Sequence, residues 1–259
     1  MIPLKDENPT RAAPVVTVLL IVACVAVFVF IQPRETADRA GQLESIKFSY
    51  ATAAIPCEVV EGRPLSEPEI AATVSGDDET ACDVAPESRP YFPGKSVYLA
   101  VLYSMFLHGG WLHLGSNMLF LWIFGNNIED KRGRATYLIF YLLAGVVATA
   151  AHIAVQPAST VPVVGASGAI AGVMGAYLVL WPNIRIHSLI FLGFFVFFRD
   201  VAAKWLLGIW FVLQFFTNPA EGVAWVAHVG GFLFGIAAGL VWRATLPPER
   251  QAVPWGSSY

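Results

Sequence analysis

Apolar residues run along this chain in long blocks separated by short polar or charged connections. PVVTVLLIVACVAVFVFI (14–31), WLHLGSNMLFLWIFGNNI (111–128), ATYLIFYLLAGVVATAAHIAV (135–155), VVGASGAIAGVMGAYLVLW (163–181) and VAWVAHVGGFLFGIAAGLVW (223–242) each predict a helical membrane span. Each is long enough for a hydrocarbon core of about 30 Å at about 1.5 Å of rise per residue. IRIHSLIFLGFFVFFRDVAAKWLLGIWFVLQFF, between the last two, has room for one span or two. Residues 32–95 break the pattern with twelve acidic and six basic side chains and several prolines, as expected of a water-facing loop.

Composition agrees with a multi-span membrane protein. Apolar residues make up 56%, charged residues only 14%, and mean hydropathy is +0.59. The net charge of -3, with no basic stripe interleaved with aromatics, excludes nucleic acid as the expected partner. Lys131, Arg132, Arg134, Arg185, Arg199, Lys204, Arg243 and Arg250 fall in alternate connections, whereas 156–162 and 217–222 carry no Lys or Arg. The positive-inside rule then puts both termini in the cytoplasm and 32–95 outside. An outside loop permits a Cys57–Cys82 disulfide, favoured here over two free thiols. No Cys/His cluster or HExxH pattern suggests a metal, and no cofactor is expected.

Polar side chains stranded in apolar runs are the candidate chemistry. His113 and Asn117 lie near the start of the second span, Ser167 near the start of the fourth and His228 near the start of the sixth. Such groups are expensive in lipid and mark function, although a lone membrane serine more often bonds its own helix and a lone His or Asn serves as interhelical glue. All four fall at the N-terminal ends of alternate spans, which run parallel and share one membrane face. Ser167 and His228 share that face only if the ambiguous stretch crosses once. Residues 201–217 are therefore expected as the fifth span and 186–198 as a membrane-associated loop packed on the protein, with seven spans and no Ser/His site as the alternative. Gly168, Gly172 and Gly175 on the fourth span, with Gly231, Gly235 and Gly239 on the sixth, would let the two backbones approach closely.

GASG around Ser167, AHVGGFLFG from Ala227, and FLHGGWLHLGSNMLF with His113 and Asn117 together resemble the rhomboid intramembrane serine proteases over roughly residues 104–242. The resemblance implies an all-α six-transmembrane-helix bundle with a long outer loop between helices 1 and 2. It further implies Ser167 as nucleophile, His228 as general base, and His113, Asn117 and the Ser167 N–H as the oxyanion hole. Glu129 matches an acidic position that braces the first loop, while Gly168, Gly231 and Gly235 support the packing. The substrates would be transmembrane proteins cut near the outer face. Where the family often has an aromatic residue stacked on the histidine, this chain has Ala171, and the Trp-Arg dipeptide common before FLH is Leu99-Ala100. What orients His228 is therefore unassigned in the sequence.

The expected organisation is a cytoplasmic N-terminus (1–13), helix 1 (14–31), the outer loop (32–95), a protease core (96–242) and a cytoplasmic tail (243–259), in a bacterial plasma membrane. A transporter using the histidines as a proton relay and a non-catalytic client-binding relative are the rival functions. Oligomeric state is not readable in the sequence.

Overall fold

A computed structural model describes residues 1–33, 39–76, 78–85, 87–217 and 224–245. Residues 218–222 of the connection expected at 217–222, and most of the 243–259 tail, lie outside the described residues. In chain order the elements are β1 (Ile2–Asp6), α1 (Val15–Ala26, continued by a π-helical turn to Ile31), α2 (Arg39–Thr52), α3 (Pro56–Glu61), α4 (Glu67–Gly76) and α5 (Leu99–Ser104). They continue with α6 (Trp111–Phe120), a second π turn (Leu121–Gly125), α7 (Asn126–Arg132), α8 (Arg134–Val155), α9 (Ser167–Leu180), β2 (Arg185–Leu192), β3 (Phe195–Ala202), α10 (Ala203–Gln214) and α11 (Trp225–Thr245).

The helices follow the apolar blocks, but not all to full length. α8 and α11 are each long and apolar enough to cross a membrane by themselves, whereas α1 with its π turn, α9 and α10 are shorter. The fourth block, expected as helix from 163, enters α9 only at Ser167. Upstream, Val163 pairs with Ala54 as an isolated bridge and Gly165 adopts φ 125, a conformation that stops a helix from extending backwards. The serine therefore opens its helix instead of lying inside it.

Small residues set the central packing. α8, α9 and α11 make the most extensive helix contacts. A side-chain carbon at Gly231 would overlap the Gly168 carbonyl oxygen, and one at Gly235 the Gly172 carbonyl oxygen. Partners ascend together along both helices, so α9 and α11 run parallel with their backbones touching. α8 runs antiparallel to them, with Ala148 against Gly168 and Ala144 against Gly172. Lipid offers no hydrophobic drive between helices, so this close contact is what holds the trio.

Residues 186–198, expected as a loop, instead belong to an antiparallel hairpin of β2 and β3, and β1 adds to its edge in the order β1-β2-β3. The segment is rich in β-branched and aromatic residues, and Gly193, at φ 59, turns a two-residue connection of the kind that suits strand twist. Only its base is packed on the protein, with Ile186 and Ser188 buried, while Phe191, Phe194, Phe195 and Phe198 are exposed. Because this stretch forms a hairpin, α10 is the one helix between it and α11 among the described residues.

Within 32–95, expected as a loop, the described residues include three helices. α2, α3 and α4 enclose a small core of Tyr50, Ile55, Leu65 and the Cys57–Cys82 disulfide, which is formed. Arg63 grips Glu69 through two hydrogen bonds of 2.9 and 2.7 Å. This unit reaches the connection before α9 through Cys57 N–H to the Ser159 carbonyl (2.9 Å) and Thr160 N–H to the Glu79 carbonyl (2.8 Å).

Glu129 departs from its expected place. Among the described residues of 32–95 its carboxylate has no hydrogen-bond partner; it accepts the Val16 and Thr17 N–H groups and the Thr17 hydroxyl, each at 2.8 Å. Asp130 accepts the Ala12 N–H at 2.7 Å. Glu129 satisfies first-turn donors that α1 cannot, Asp130 ties the segment leading into it, and both match its positive end.

Asp6, at the end of β1, accepts hydrogen bonds from Tyr177 Oη (2.7 Å) and Asn127 Nδ2 (2.8 Å). Burial pushes its carboxyl up from 3.8 to about 6, against the downward pull of those two donors. The folded chain thus keeps this proton up to about pH 6 while the unfolded chain releases it near 3.8, so stability falls as pH rises through that window. Asp6→Asn is expected to flatten that part of the pH–stability curve and to raise Tm at pH 7, measured by thermal unfolding in detergent at pH 4 to 7. Gly235→Val, which forces a branched side chain into the Gly172 carbonyl, is expected to destabilise by about 1–3 kcal/mol or more in the same assay.

Candidate active site

Parallel packing of α9 and α11 sets the first residue of one helix beside the first turn of the other. Ser167 Oγ and His228 Nε2 are 2.7 Å apart, a hydrogen bond between side chains 61 positions apart in sequence. The other ring nitrogen, Nδ1, lies 2.7 Å from Gln214 Oε1 on α10. The Trp210 ring, one turn earlier on α10, tilts against the imidazole at 5.9 Å between centroids. Aromatic support for the histidine thus comes from α10, which explains how Ala171 can be small and fully buried in the core.

Ser167 and His228 open into a cavity of about 830 Å³, bounded also by His113, Asn117, His152 and Trp210. The site is large enough for an extended peptide and for water. Asn117 Nδ2 is buried and has no hydrogen-bond partner among the described residues. A donor left unpaired in a cavity wall is costly unless a ligand completes it. His113 Nδ1 accepts the Gly109 N–H at 3.3 Å, which leaves the proton on Nε2. That Nε2 faces Gly165, where an added side-chain carbon would lie 2.9 Å from it and 3.5 Å from Ser167 Oγ. Gly165 is thus required both by its backbone conformation and by the closeness of His113. At the start of α9 the first N–H groups lack partners within the helix, and these point out of its N-terminus.

The structure brings together the four polar residues singled out from the sequence: Ser167 and His228 in contact, with His113 and Asn117 around the same cavity. Gly168, Gly231 and Gly235 lie where α9 and α11 touch; Glu129 lies away from the cavity, at the start of α1. Gln214 was missed. It is the sole uncharged polar residue in WLLGIWFVLQFF and sits one turn after Trp210, a pattern that could have flagged it. His152, in the last turn of α8, also borders the cavity. His108 is buried beside it, its ring 5.3 Å from that of His113, and its backbone exchanges hydrogen bonds of 3.0 Å with the Gln32 amide.

A hydroxyl bonded to an imidazole, facing a cavity with unpaired donors, is the arrangement of a serine-type acyl-transfer site. The rhomboid domain family model matches residues 95–245, more than half of the chain, and the chain belongs to the rhomboid family. Members of this family are integral membrane proteins and for the most part serine intramembrane proteases.

Rhomboid-like protein 11, chloroplastic, of Arabidopsis thaliana is 34% identical over 150 residues, covering 56% of this chain and 52% of that protein. The presenilin-associated rhomboid-like protein, mitochondrial, of Bos taurus is 34% identical over 143 residues, covering 52% and 36%. Rhomboid protein 1, mitochondrial, of Saccharomyces cerevisiae is 28% identical over 163 residues, covering 59% and 44%. The chain thus spans about a third to a half of the length of the curated relatives it matches. Their names place those proteins in chloroplasts or mitochondria and lend no support to the expected bacterial plasma membrane.

Proposed function

We propose that this protein is an intramembrane serine endopeptidase that cleaves transmembrane proteins near the membrane face carrying residues 32–95, using Ser167 and His228 as a catalytic dyad. The observation that carries this reading is the 2.7 Å hydrogen bond between Ser167 Oγ and His228 Nε2 at the wall of a cavity. His228 takes the serine proton as Oγ attacks the scissile carbonyl, and the carbonyl π electrons move onto oxygen. Asn117 Nδ2, His113 Nε2 and the Ser167 N–H donate to that oxyanion in this reading, which the unpaired Asn117 Nδ2 in the cavity wall supports. The proton passes from His228 to the leaving amine as the C–N bond breaks, and water then releases the acyl group by the same steps in reverse order.

A peptide bond must be extended to be attacked. The substrate class is therefore a transmembrane helix weakened near its outer end by small or helix-breaking residues, which unwinds into the cavity. Six crossings with both termini on the opposite side remain the arrangement that fits this chemistry, because they give α9 and α11 a shared direction and open the site to water on one face.

Purified protein in lipid is expected to cleave a single-span substrate carrying a Gly-Ala pair near its outer end. Ser167→Ala should reduce cleavage to background, and equal cleavage by Ser167→Ala and the parent would remove the nucleophile. Asn117→Ala should lower kcat by about 10²–10³-fold with little change in KM, the usual effect of losing one oxyanion donor.

A further inference from the structure

A histidine can accept the serine proton only if its Nε2 is bare and aimed at the hydroxyl, which requires the single proton of the neutral ring to sit on Nδ1. Nothing in the dyad itself enforces that tautomer. Beside Ser167 a ring with the proton on Nε2 could donate to Oγ, a geometry equally compatible with 2.7 Å and useless for activating the serine. His228 also sits in a first helical turn, where its side chain is held from one side only by its own helix.

The Gln214 amide resolves both points. Its Nε2 donates to the Trp210 carbonyl at 2.9 Å. A carbonyl can only accept, so the NH₂ end of the amide is fixed there, and the oxygen is the end that faces His228 Nδ1 at 2.7 Å. An oxygen at that position is satisfied only by an Nδ1–H donor. The residue is buried, with 8% exposure, which limits access of water to the same proton. Trp210 contributes twice, since its carbonyl orients the amide and its ring flanks the imidazole.

We infer that Gln214 is a positioning residue which fixes the proton of His228 on Nδ1 and aims Nε2 at Ser167, making the site a serine–histidine–glutamine relay of orientation. The inference rests on the dyad proposed above. Gln214 neither gains nor loses a proton. When His228 takes the serine proton on Nε2 its Nδ1–H stays on the amide oxygen, whose dipole faces the positive ring. When the proton leaves for the amine the original tautomer is restored. An amide does this without placing a full charge among apolar side chains, where an unpaired carboxylate would be costly. The role also couples α10 to catalysis, since a displacement of that helix would release His228 Nδ1 without moving Ser167.

The test compares Gln214→Met, which keeps side-chain length but removes the acceptor, with Gln214→Glu, which keeps an oxygen for Nδ1 and loses the donor to Trp210. Cleavage of the Gly-Ala single-span substrate and Tm are measured for both, with Ser167→Ala alongside. Gln214→Met is expected to lose on the order of 10²-fold in kcat with KM and Tm close to the parent, as for an orienting partner of a general base. Gln214→Glu is expected to recover most of that loss. Parent-like kcat in Gln214→Met, or losses in the two variants that are equal and follow Tm, would overturn the assignment. If Gln214→Met fails to fold, Gln214→Glu alone decides, with kcat within tenfold of the parent in favour and a loss as large as that of Ser167→Ala against. Activity surviving in Ser167→Ala would instead overturn the dyad, a separate outcome.

Discussion

Direct contact between the backbones of α9 and α11 is the constraint on which the site depends. Gly231 and Gly235 lie against the carbonyl oxygens of Gly168 and Gly172, a separation that no side chain would permit. Close parallel packing brings the start of α9 to the first turn of α11, and only at such spacing does an imidazole reach a hydroxyl across two helices. α8 closes the third side with Ala144 and Ala148, so the trio is uniform in its use of small residues. In lipid this trade is favourable, because dispersion between closely packed backbones replaces a hydrophobic drive that is absent there.

Around that contact the chain spends its polar groups on fixing ends. Glu129 and Asp130 hold the start of α1, and Asp6 ties the small sheet to Asn127 and Tyr177. At the other end, the disulfide-linked unit of 39–95 holds the strand-like connection that leads into Ser167, through Ala54 to Val163 and Cys57 to Ser159. Ser104 takes part on both sides, its hydroxyl accepting the Ala54 N–H at 2.6 Å and its carbonyl accepting the Gly165 N–H at 2.9 Å. Ser167 is thereby located from above by one unit and from below by helix packing. A rigid frame of this kind is what a pre-arranged oxyanion site needs.

The apolar blocks, the direction of α9 and α11 and the meeting of Ser167 with His228 were legible because each has a local signature. Length reports a helix, a small residue every fourth position reports close packing, and a polar residue in an apolar run is conspicuous. The hairpin was not legible, since LIFLGFFVFF is apolar at every non-glycine position and lacks the alternation that separates a strand from a buried helix or loop. β1 finds its partner in β2 far along the chain, with Ile2 opposite Leu189 and Asp6 opposite Ile186, and nothing within IPLKD announces it. Glu129 was singled out through the resemblance alone, and its partners, two backbone N–H groups and the Thr17 hydroxyl, belong to another helix. Gln214 was overlooked because a glutamine at the end of an apolar run reads equally well as a boundary residue.

The account stands or falls on whether the imidazole of His228 activates the hydroxyl it touches. The most direct measurement is the rate at which a fluorophosphonate modifies Ser167, followed by mass spectrometry of the intact protein and its peptides, in the parent and in folded His228→Ala. A single adduct on Ser167 that forms readily in the parent and fails to form in His228→Ala is the predicted result. An equal rate of labelling in both proteins, or an adduct elsewhere in the chain, would contradict it.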